Sequence, residues 1–312
     1  MATSTQTTRP VAERRPSTAH WLRSIGWRHV IALLAVAFAG FPILYVISAS
    51  LSAKNTMTDA NHLFSTITLD NYLMLGCDPA LADNVNKCNR VTHFWLWFGN
   101  TLEIATITAI GTVMLGAAAA YAFSRFRFRG RRTGLGSLMI IQMFPQMLAF
   151  VAIMLLLTTL GGVLPVLGVG SKVALIAVYL GGALGANTFL MYGFFNSIPT
   201  SLDEAAKIDG ATHAQVYWTI VIPLVTPIIA VTALLSFIAT FGEYILASVV
   251  LGSRQNSWTL SMGLYLLIGD SRAPELTLFA AGATLAALPV LLLFLFLQKY
   301  IVSGLTGGAV KG

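Results

Sequence analysis

Six apolar blocks, each long enough to cross the hydrocarbon core of a bilayer, constrain this sequence more than any other feature. A spanning helix needs about 20 apolar residues to cross a core of roughly 30 Å. The blocks lie at residues 29–51, 94–123, 135–159, 172–195, 222–250 and 274–298. Because a bilayer core leaves backbone groups no water to bond with, such blocks form helices. The sequence therefore predicts an all-α polytopic membrane protein with six transmembrane helices.

The composition supports one membrane domain. Of the 312 residues, 56% are hydrophobic and only 10% are charged. A soluble globular domain carries about 25% charged residues, so the outer surface of this chain is expected to face lipid. Pro145 interrupts the third block, and Pro223 and Pro227 interrupt the fifth. Spanning helices tolerate such prolines where neighbouring groups satisfy the freed carbonyls.

The polar segments between the blocks complete the predicted organisation. Residues 1–28 form a Ser-, Thr- and Arg-rich tail, which we expect to be disordered at its start, and residues 299–312 form a second tail. A secretory signal is the alternative for the first block. That block is too long for a signal and has no A-x-A cleavage site before a polar mature domain, so we expect it to remain as the first span. The longest loop covers residues 52–93, and the transmembrane core runs from 94 to 298.

The distribution of basic residues predicts the orientation. Placing the N-terminus inside the cell puts thirteen of the nineteen Lys and Arg residues on the inner side and six outside. Short inner loops of membrane proteins carry an excess of Lys and Arg. Both termini are therefore expected to be cytoplasmic. The net charge of +7 lies in short segments between apolar blocks, which argues against nucleic-acid binding.

The two cysteines lie in the loop expected outside, Cys77 and Cys88. A disulfide is plausible on that oxidising side, and two unpaired thiols are the open alternative. A metal site is not expected, because two thiols lack a set of His or acidic partners.

No catalytic constellation is visible. The chain has no G-x-x-x-x-G-K-[ST] phosphate loop, no H-E-x-x-H and no G-x-S-x-G. The glycine-rich end at residues 304–312 has the wrong spacing and no following helix to hold phosphate. We therefore expect neither ATP hydrolysis, nor a cofactor, nor another enzymatic activity in this chain.

Two carboxylates, Glu103 and Glu243, fall clearly inside apolar blocks. Ionisable residues within spans often mark proton pathways, so a proton-coupled secondary transporter is the alternative function. The simpler interpretation is that each carboxylate accepts hydrogen bonds from neighbours, inside the bundle or near a span end.

The most informative segment lies between the fourth and fifth blocks. Ser201 and Glu204 have the spacing of a capping box, which predicts a helix starting at about Leu202. The face of that helix is expected to be formed by small and apolar residues, namely Leu202, Ala205, Ala206 and Ile208. Gly210 would then let the backbone turn before a second short helix that leads to Pro223. Such a helix at the membrane surface could dock another protein, or could be a simple linker.

This segment resembles the EAA motif of bacterial ABC importer permeases, E-A-A-x3-G-x9-I-x-L-P. The matching residues are Glu204, Ala205, Ala206, Gly210, Ile220 and Pro223. Ile222 stands where the motif has Leu. The chain is similar over most of its length to the smaller permease of the maltose/maltodextrin type, through Ala120–Phe128, Gln142–Pro145, Glu204–Ala211 and Gly304–Gly312.

The resemblance implies a type I ABC importer transmembrane domain. Its partners would be a larger second permease subunit, two copies of a cytoplasmic ATPase that binds ATP and magnesium, and an external sugar-binding protein. The EAA loop would dock on one ATPase. The loop around residues 251–273 would touch the binding protein, and a C-terminal tail would reach between the ATPases through Gly307, Gly308, Lys311 and Gly312. The sugar would be maltose, a maltodextrin or a related α-glucoside such as trehalose.

Overall fold

The structure, a computed structural model, describes residues 25–53, 63–64, 67–76, 93–252, 254–269 and 275–309. Cys77 and Cys88 lie outside the described residues, so the predicted disulfide is untested. The same holds for the tail expected to be disordered, up to residue 24, and for Lys311 and Gly312.

The described residues are helical and contain no strand, which confirms the all-α class. In chain order the helices are α1 (Trp27–Ser50), α2 (Asp70–Leu75), α3 (Phe94–Arg125), α4 (Arg131–Met143), α5 (Gln146–Val163), α6 (Lys172–Ser197), α7 (Thr200–Ile208), α8 (His213–Leu224), α9 (Thr226–Gly242), α10 (Ile245–Leu251), α11 (Leu260–Gly269) and α12 (Leu276–Ala309). A π-helical stretch, Val216–Val221, forms the middle of α8.

Four of these helices, α1, α3, α6 and α12, are long and apolar enough to cross a membrane singly. Two further spans arise if each of two bent helix pairs counts as one. In the first pair, α4 and α5 meet at 105°. The bend falls at Phe144 and Pro145, whose backbones are extended, because a proline disfavours helical geometry in the residue before it.

The fifth apolar block is divided more than the sequence suggests. Helices α8 and α9 meet at 78° at Val225, two residues before Pro227. A second break follows at Glu243, whose backbone is extended, and the short helix α10 begins at Ile245. The stretch expected as one span at 222–250 therefore consists of the end of α8, all of α9 and most of α10, with breaks at Val225 and Glu243.

Helix α3 occupies the centre of the bundle and packs along α6 and α9. Its buried face carries small residues that permit close helix packing, among them Ala105, Ala109, Gly116 and Ala117. Helix α1 is peripheral, because it packs mainly against α12 and no residue of its most apolar 18-residue stretch is buried. A surface this apolar is suited to lipid or to another membrane subunit.

The two ends of the bundle differ. We call the end that carries α7 the α7 end, and the end that carries residues 254–258 the loop end. At the loop end, within the loop expected around residues 251–273, helix α11 is present, and five of its ten residues are buried. The ring of Trp97 on α3 lies directly against Gly263 of α11, and a Cβ at Gly263 would stand 1.9 Å from Cε3 of Trp97.

We predict that Gly263→Ala destabilises the fold, because even one methyl group would force Trp97 out of its place. Overpacking of this kind costs about 1–3 kcal/mol of the free energy of unfolding. The measurement is the midpoint of thermal unfolding of the purified chain in detergent. Gly99→Ala is the matched control, since a Cβ at Gly99 meets nothing within 4 Å. Equal midpoints for the two variants would contradict this packing.

Candidate functional site

Helix α7 begins differently from the capping-box prediction. It starts at Thr200 after Pro199, and no side-chain hydrogen bond caps it there. The prediction of a cap at Ser201 was wrong because Pro199 is itself the N-cap residue, with φ near −57° and an extended ψ of 131°, so that Ser201 lies inside the first turn. A genuine capping box lies at the start of α8. Thr212 Oγ1 accepts from the backbone N–H of Gln215 at 3.3 Å, and Gln215 Oε1 accepts from that of Thr212 at 2.7 Å. Its T-x-x-Q spacing was readable in the sequence.

The two faces of α7 have different surroundings. Asp203 and Ala206 are buried against the bundle. The opposite face is exposed and carries Leu202, 42% exposed, with Ala205 and with Ile208, 87% exposed. The structure therefore divides the face proposed from the sequence, since Ala206 points inward. Glu204 is also exposed. Large apolar side chains left open at the end of a bundle indicate an interaction surface.

Gly210 ends α7 in a left-handed conformation, with φ of +83°. The N–H of Gly210 donates to the carbonyl of Lys207 at 3.0 Å, and the N–H of Ala211 donates to that of Ala206 at 2.9 Å. These two bonds form a Schellman motif, which satisfies the last carbonyls of a helix and favours glycine at this position. The turn predicted at Gly210 is therefore present and needs a residue that tolerates positive φ.

Helix α8 fixes the other side of the loop. Val216 and Val221 are fully buried, and Ile220 is partly buried in the same cluster as Ala206 and Phe195. Pro223 is exposed, two residues before the bend at Val225. Two aromatic contacts tie α8 to the end of α3 and the residue after it. The ring centroids lie 5.0 Å apart for Tyr121 with Tyr217 and 5.3 Å apart for Phe126 with His213.

A buried ion pair anchors α7 to the centre of the bundle. Nε of Arg125, the last residue of α3, lies 2.7 Å from Oδ2 of Asp203, and their side chains are only 5% and 7% exposed. The same guanidinium donates from Nη2 to the carbonyl of Ile198 at 3.2 Å. This pair could not be predicted, because Arg125 and Asp203 are distant in the chain and Arg125 belongs to a run of several arginines.

Most of the segment expected as a C-terminal tail is helical. Helix α12 continues to Ala309, so its backbone includes Gly307 and Gly308. Its 34 residues correspond to about 51 Å at 1.5 Å per residue, which exceeds the bilayer core. The helix therefore extends beyond the span expected at 274–298.

The two carboxylates that the sequence places inside apolar blocks each have their own partners. Glu103 pairs with Lys172, the first residue of α6, and Lys172 also donates to Asn100 at 3.3 Å. Glu243 accepts from the hydroxyl of Tyr179 at 2.7 Å. It also accepts from the backbone N–H groups of Leu246 and Ala247 at the start of α10. These contacts support the simpler interpretation, and nothing in them supports a proton relay. Over the described part of the chain, no group of three or more His, Cys, Asp or Glu residues could hold a metal.

Comparison with known proteins agrees with this architecture. Residues 112–307 match the family described as the binding-protein-dependent transport system inner membrane component. The chain is 36% identical over 283 residues to the galactooligosaccharides transport system permease protein GanQ of Bacillus subtilis (strain 168), covering 91% of this chain and 94% of GanQ. It is 38% identical over 296 residues to the maltodextrin transport system permease protein MdxG of the same strain, covering 95% and 99%.

The maltose/maltodextrin transport system permease protein MalG of Escherichia coli (strain K12) is 39% identical over 298 residues, covering 91% of this chain and 95% of MalG. Among solved structures, a chain of a bacterial ABC transporter involved in the import of alginate superposes with a TM-score of 0.71 at 24% identity. That match covers 92% of this chain and 99% of the other. A chain of the bacterial alginate ABC transporter in complex with a pentasaccharide-bound periplasmic protein gives 0.58 at 16% identity, covering 89% and 96%.

The two structural matches establish the fold, and the family match covers more than half of the chain. With its membrane-spanning helices, the chain therefore belongs to the inner-membrane components of binding-protein-dependent transport systems, which are permease subunits and not enzymes.

Proposed function

We propose that this chain is one of two permease subunits of an ABC importer for maltose, maltodextrins or a related α-glucoside such as trehalose. The partners are a larger second permease, two cytoplasmic ATPase subunits that bind ATP and magnesium, and an external sugar-binding protein. The names of MdxG and MalG support this substrate class. GanQ has a similar identity to this chain and is named for galactooligosaccharides, so other oligosaccharides are also candidate substrates.

The observation that carries the proposal is the exposed face of α7. Leu202, Ala205 and Ile208 form an apolar surface at the bundle end, while the opposite face is held by a buried ion pair. A docking element needs both properties, because it must contact a partner and must pass that partner's motion to the bundle. In this proposal one ATPase subunit receives α7 in a cleft, and the α7 end is cytoplasmic.

The other residues of the motif support the docked helix. Glu204 is exposed next to the apolar face and is available to a basic group of the ATPase. Ala206 allows close packing on the bundle side, and Gly210 provides the turn. Ile220 and Pro223 lie in the last turns of α8, where the loop returns to the membrane. The C-terminal end, with Gly307, Gly308, Lys311 and Gly312, would extend between the ATPase subunits.

The loop end is suited to the sugar-binding protein. The indole N–H of Trp97 donates to the carbonyl of Gln255 at 2.9 Å, and the Asn100 amide donates to that of Asn256 at 2.9 Å. These bonds use the backbone and leave the side chains of Gln255 and Asn256 exposed. Because this loop is already ordered, binding a partner costs it little conformational entropy, which favours binding.

Transport then follows from linkage between the two ends. ATP binding closes the ATPase subunits, α7 moves with them, and the bundle changes from inward-facing to outward-facing. A ligand shifts the equilibrium toward one conformation only to the extent that it binds that conformation more tightly than the other. The binding protein and ATP therefore act on one equilibrium from opposite sides of the membrane.

The decisive experiment reconstitutes the assembled transporter in vesicles and measures uptake of labelled maltotriose. We expect uptake to require ATP and the binding protein, and to persist when an uncoupler removes the proton gradient. Competition with unlabelled trehalose and with a galactooligosaccharide identifies the preferred sugar. Uptake that survives ATP depletion and collapses with the uncoupler would overturn the proposal.

A second prediction concerns the turn after α7. Gly210→Val should abolish ATP-driven uptake, because a β-branched residue at a φ of +83° costs roughly 1–2 kcal/mol or more and misplaces the end of the docking helix. Gly210→Asn is the control, since asparagine tolerates this conformation. Both variants should insert in the membrane normally, measured by immunoblot of membrane fractions. Normal uptake by the valine variant would contradict the role of the turn.

A third prediction concerns the buried ion pair. Asp203→Asn leaves the Arg125 charge buried without its partner, which costs about 3–5 kcal/mol, so recovery of the ATPase with the affinity-purified permease should fall. The double variant Arg125→Met/Asp203→Leu removes both charges and should restore much of that recovery. Glu103→Gln is the control, because the half-exposed pair of Glu103 with Lys172 contributes less. Equal ATPase recovery with Asp203→Asn and with Glu103→Gln would contradict the anchoring role.

A further inference from the structure

Residues 126–132, the loop between α3 and α4 together with the first two residues of α4, carry four arginines that the docking site does not use. We call this segment the arginine loop. Its sequence is Phe-Arg-Phe-Arg-Gly-Arg-Arg, with Arg127, Arg129 and Arg132 exposed and Arg131 half-buried. No Asp or Glu occurs in the chain between Glu103 and Asp203, and Asp203 is already paired with Arg125. The local sequence therefore concentrates positive charge without acidic residues beside it.

The backbone of the arginine loop is held in place by its aromatic residues. The ring of Phe128 contacts that of Phe123 at 5.6 Å, and the ring of Phe126 contacts those of Tyr121 and His213 at 5.7 and 5.3 Å. At the start of α4, the Arg131 guanidinium donates to the hydroxyl of Tyr192 at 3.1 Å. Because the loop is fixed at several points, its arginines present charge at defined positions.

The surroundings of the arginine loop are apolar. Helix α4, which starts at Arg131, exposes large side chains only two to three turns away, with Met139 47%, Ile140 69% and Ile141 66% exposed. Phe126 and Phe128 within the loop are themselves 39% and 46% exposed. Apolar side chains that pass directly into exposed arginines mark the boundary between the acyl chains and the headgroups of a bilayer.

We infer that the arginine loop binds the phosphate of an anionic phospholipid, with the acyl chains of that lipid lying along α4. Guanidinium groups bind phosphate through paired hydrogen bonds, more specifically than a point charge does. Clusters of four or more basic residues next to a spanning helix are typical of sites for anionic lipids. The excess of Lys and Arg in the inner loops of membrane proteins could by itself explain the number of arginines. It would not explain why their backbone is fixed or why exposed aromatic residues lie between them.

The test uses the assembled transporter in nanodiscs that contain phosphatidylcholine with a graded fraction of phosphatidylglycerol. After exchange into detergent, native mass spectrometry counts the phosphatidylglycerol retained by the complex. The variant Arg127→Gln/Arg129→Gln should retain it about 5-fold more weakly for each arginine removed. The control is Arg28→Gln/Lys299→Gln, which removes one positive charge from the first turn of α1 and one from α12. Arg28 lies over the ring of Trp27, and Lys299 lies over the rings of Phe296 and Tyr300. This control should retain phosphatidylglycerol as the unmodified transporter does.

Equal retention by the loop variant and the control would overturn the inference. So would a loop variant that keeps its phosphatidylglycerol but loses the ATPase subunits, since the arginines would then face a protein. Phosphate ions added at millimolar concentration should leave the retained phosphatidylglycerol unchanged. If phosphate displaced the lipid, the site would be one for free phosphate instead. The lipid count needs no transport, so a failure of the proposed transport function would appear separately, in the uptake measurement.

Discussion

A backbone inside a bilayer must satisfy its hydrogen bonds without water, and the rest of this structure depends on how that requirement is met where helices break. The clearest case is the fifth apolar block, where α9 ends at Gly242 and α10 begins at Ile245. The free N–H groups at the start of α10 are taken up by the carboxylate of Glu243, which also accepts from Tyr179. A charged residue that resembled a proton site in the sequence is thus a structural acceptor, and without it the break would leave backbone donors unpaired.

Helix α3 connects the two ends of the bundle. At the loop end Trp97 and Asn100 hold the backbone of residues 255–258, and the hydroxyl of Thr101 accepts from the N–H of Leu260 at 2.7 Å. At the other end Arg125 holds α7. Between them α3 is a continuous helix of 32 residues, packed against α6 and α9. A rigid element with fixed contacts at both ends can bias both partner surfaces together, which is the physical requirement for coupling across a membrane.

The sequence predicted those features that depend on composition over many residues. Six blocks, the all-helical class and the loop between the fourth and fifth blocks follow from hydropathy and from a motif with many fixed positions. The break at Glu243 could not be predicted, because Gly-Glu-Tyr continues an apolar stretch and carries no proline. The pair of Arg125 with Asp203 was equally invisible, since it depends on how α3 and α7 meet in space. The capping box was assigned to Ser201 because spacing alone does not show that Pro199 has already started the helix.

The two faces of α7 explain why so short a helix can transmit force. A nine-residue helix is marginal on its own, and its exposed apolar residues contribute nothing to its stability before a partner binds. The buried face must therefore supply the anchoring, and the close, buried pair of Arg125 with Asp203 provides it. Since separating the pair would leave a charge buried, α7 cannot drift from α3 without a large energetic cost. Motion imposed on its exposed face is then carried into the bundle instead of being lost at the surface.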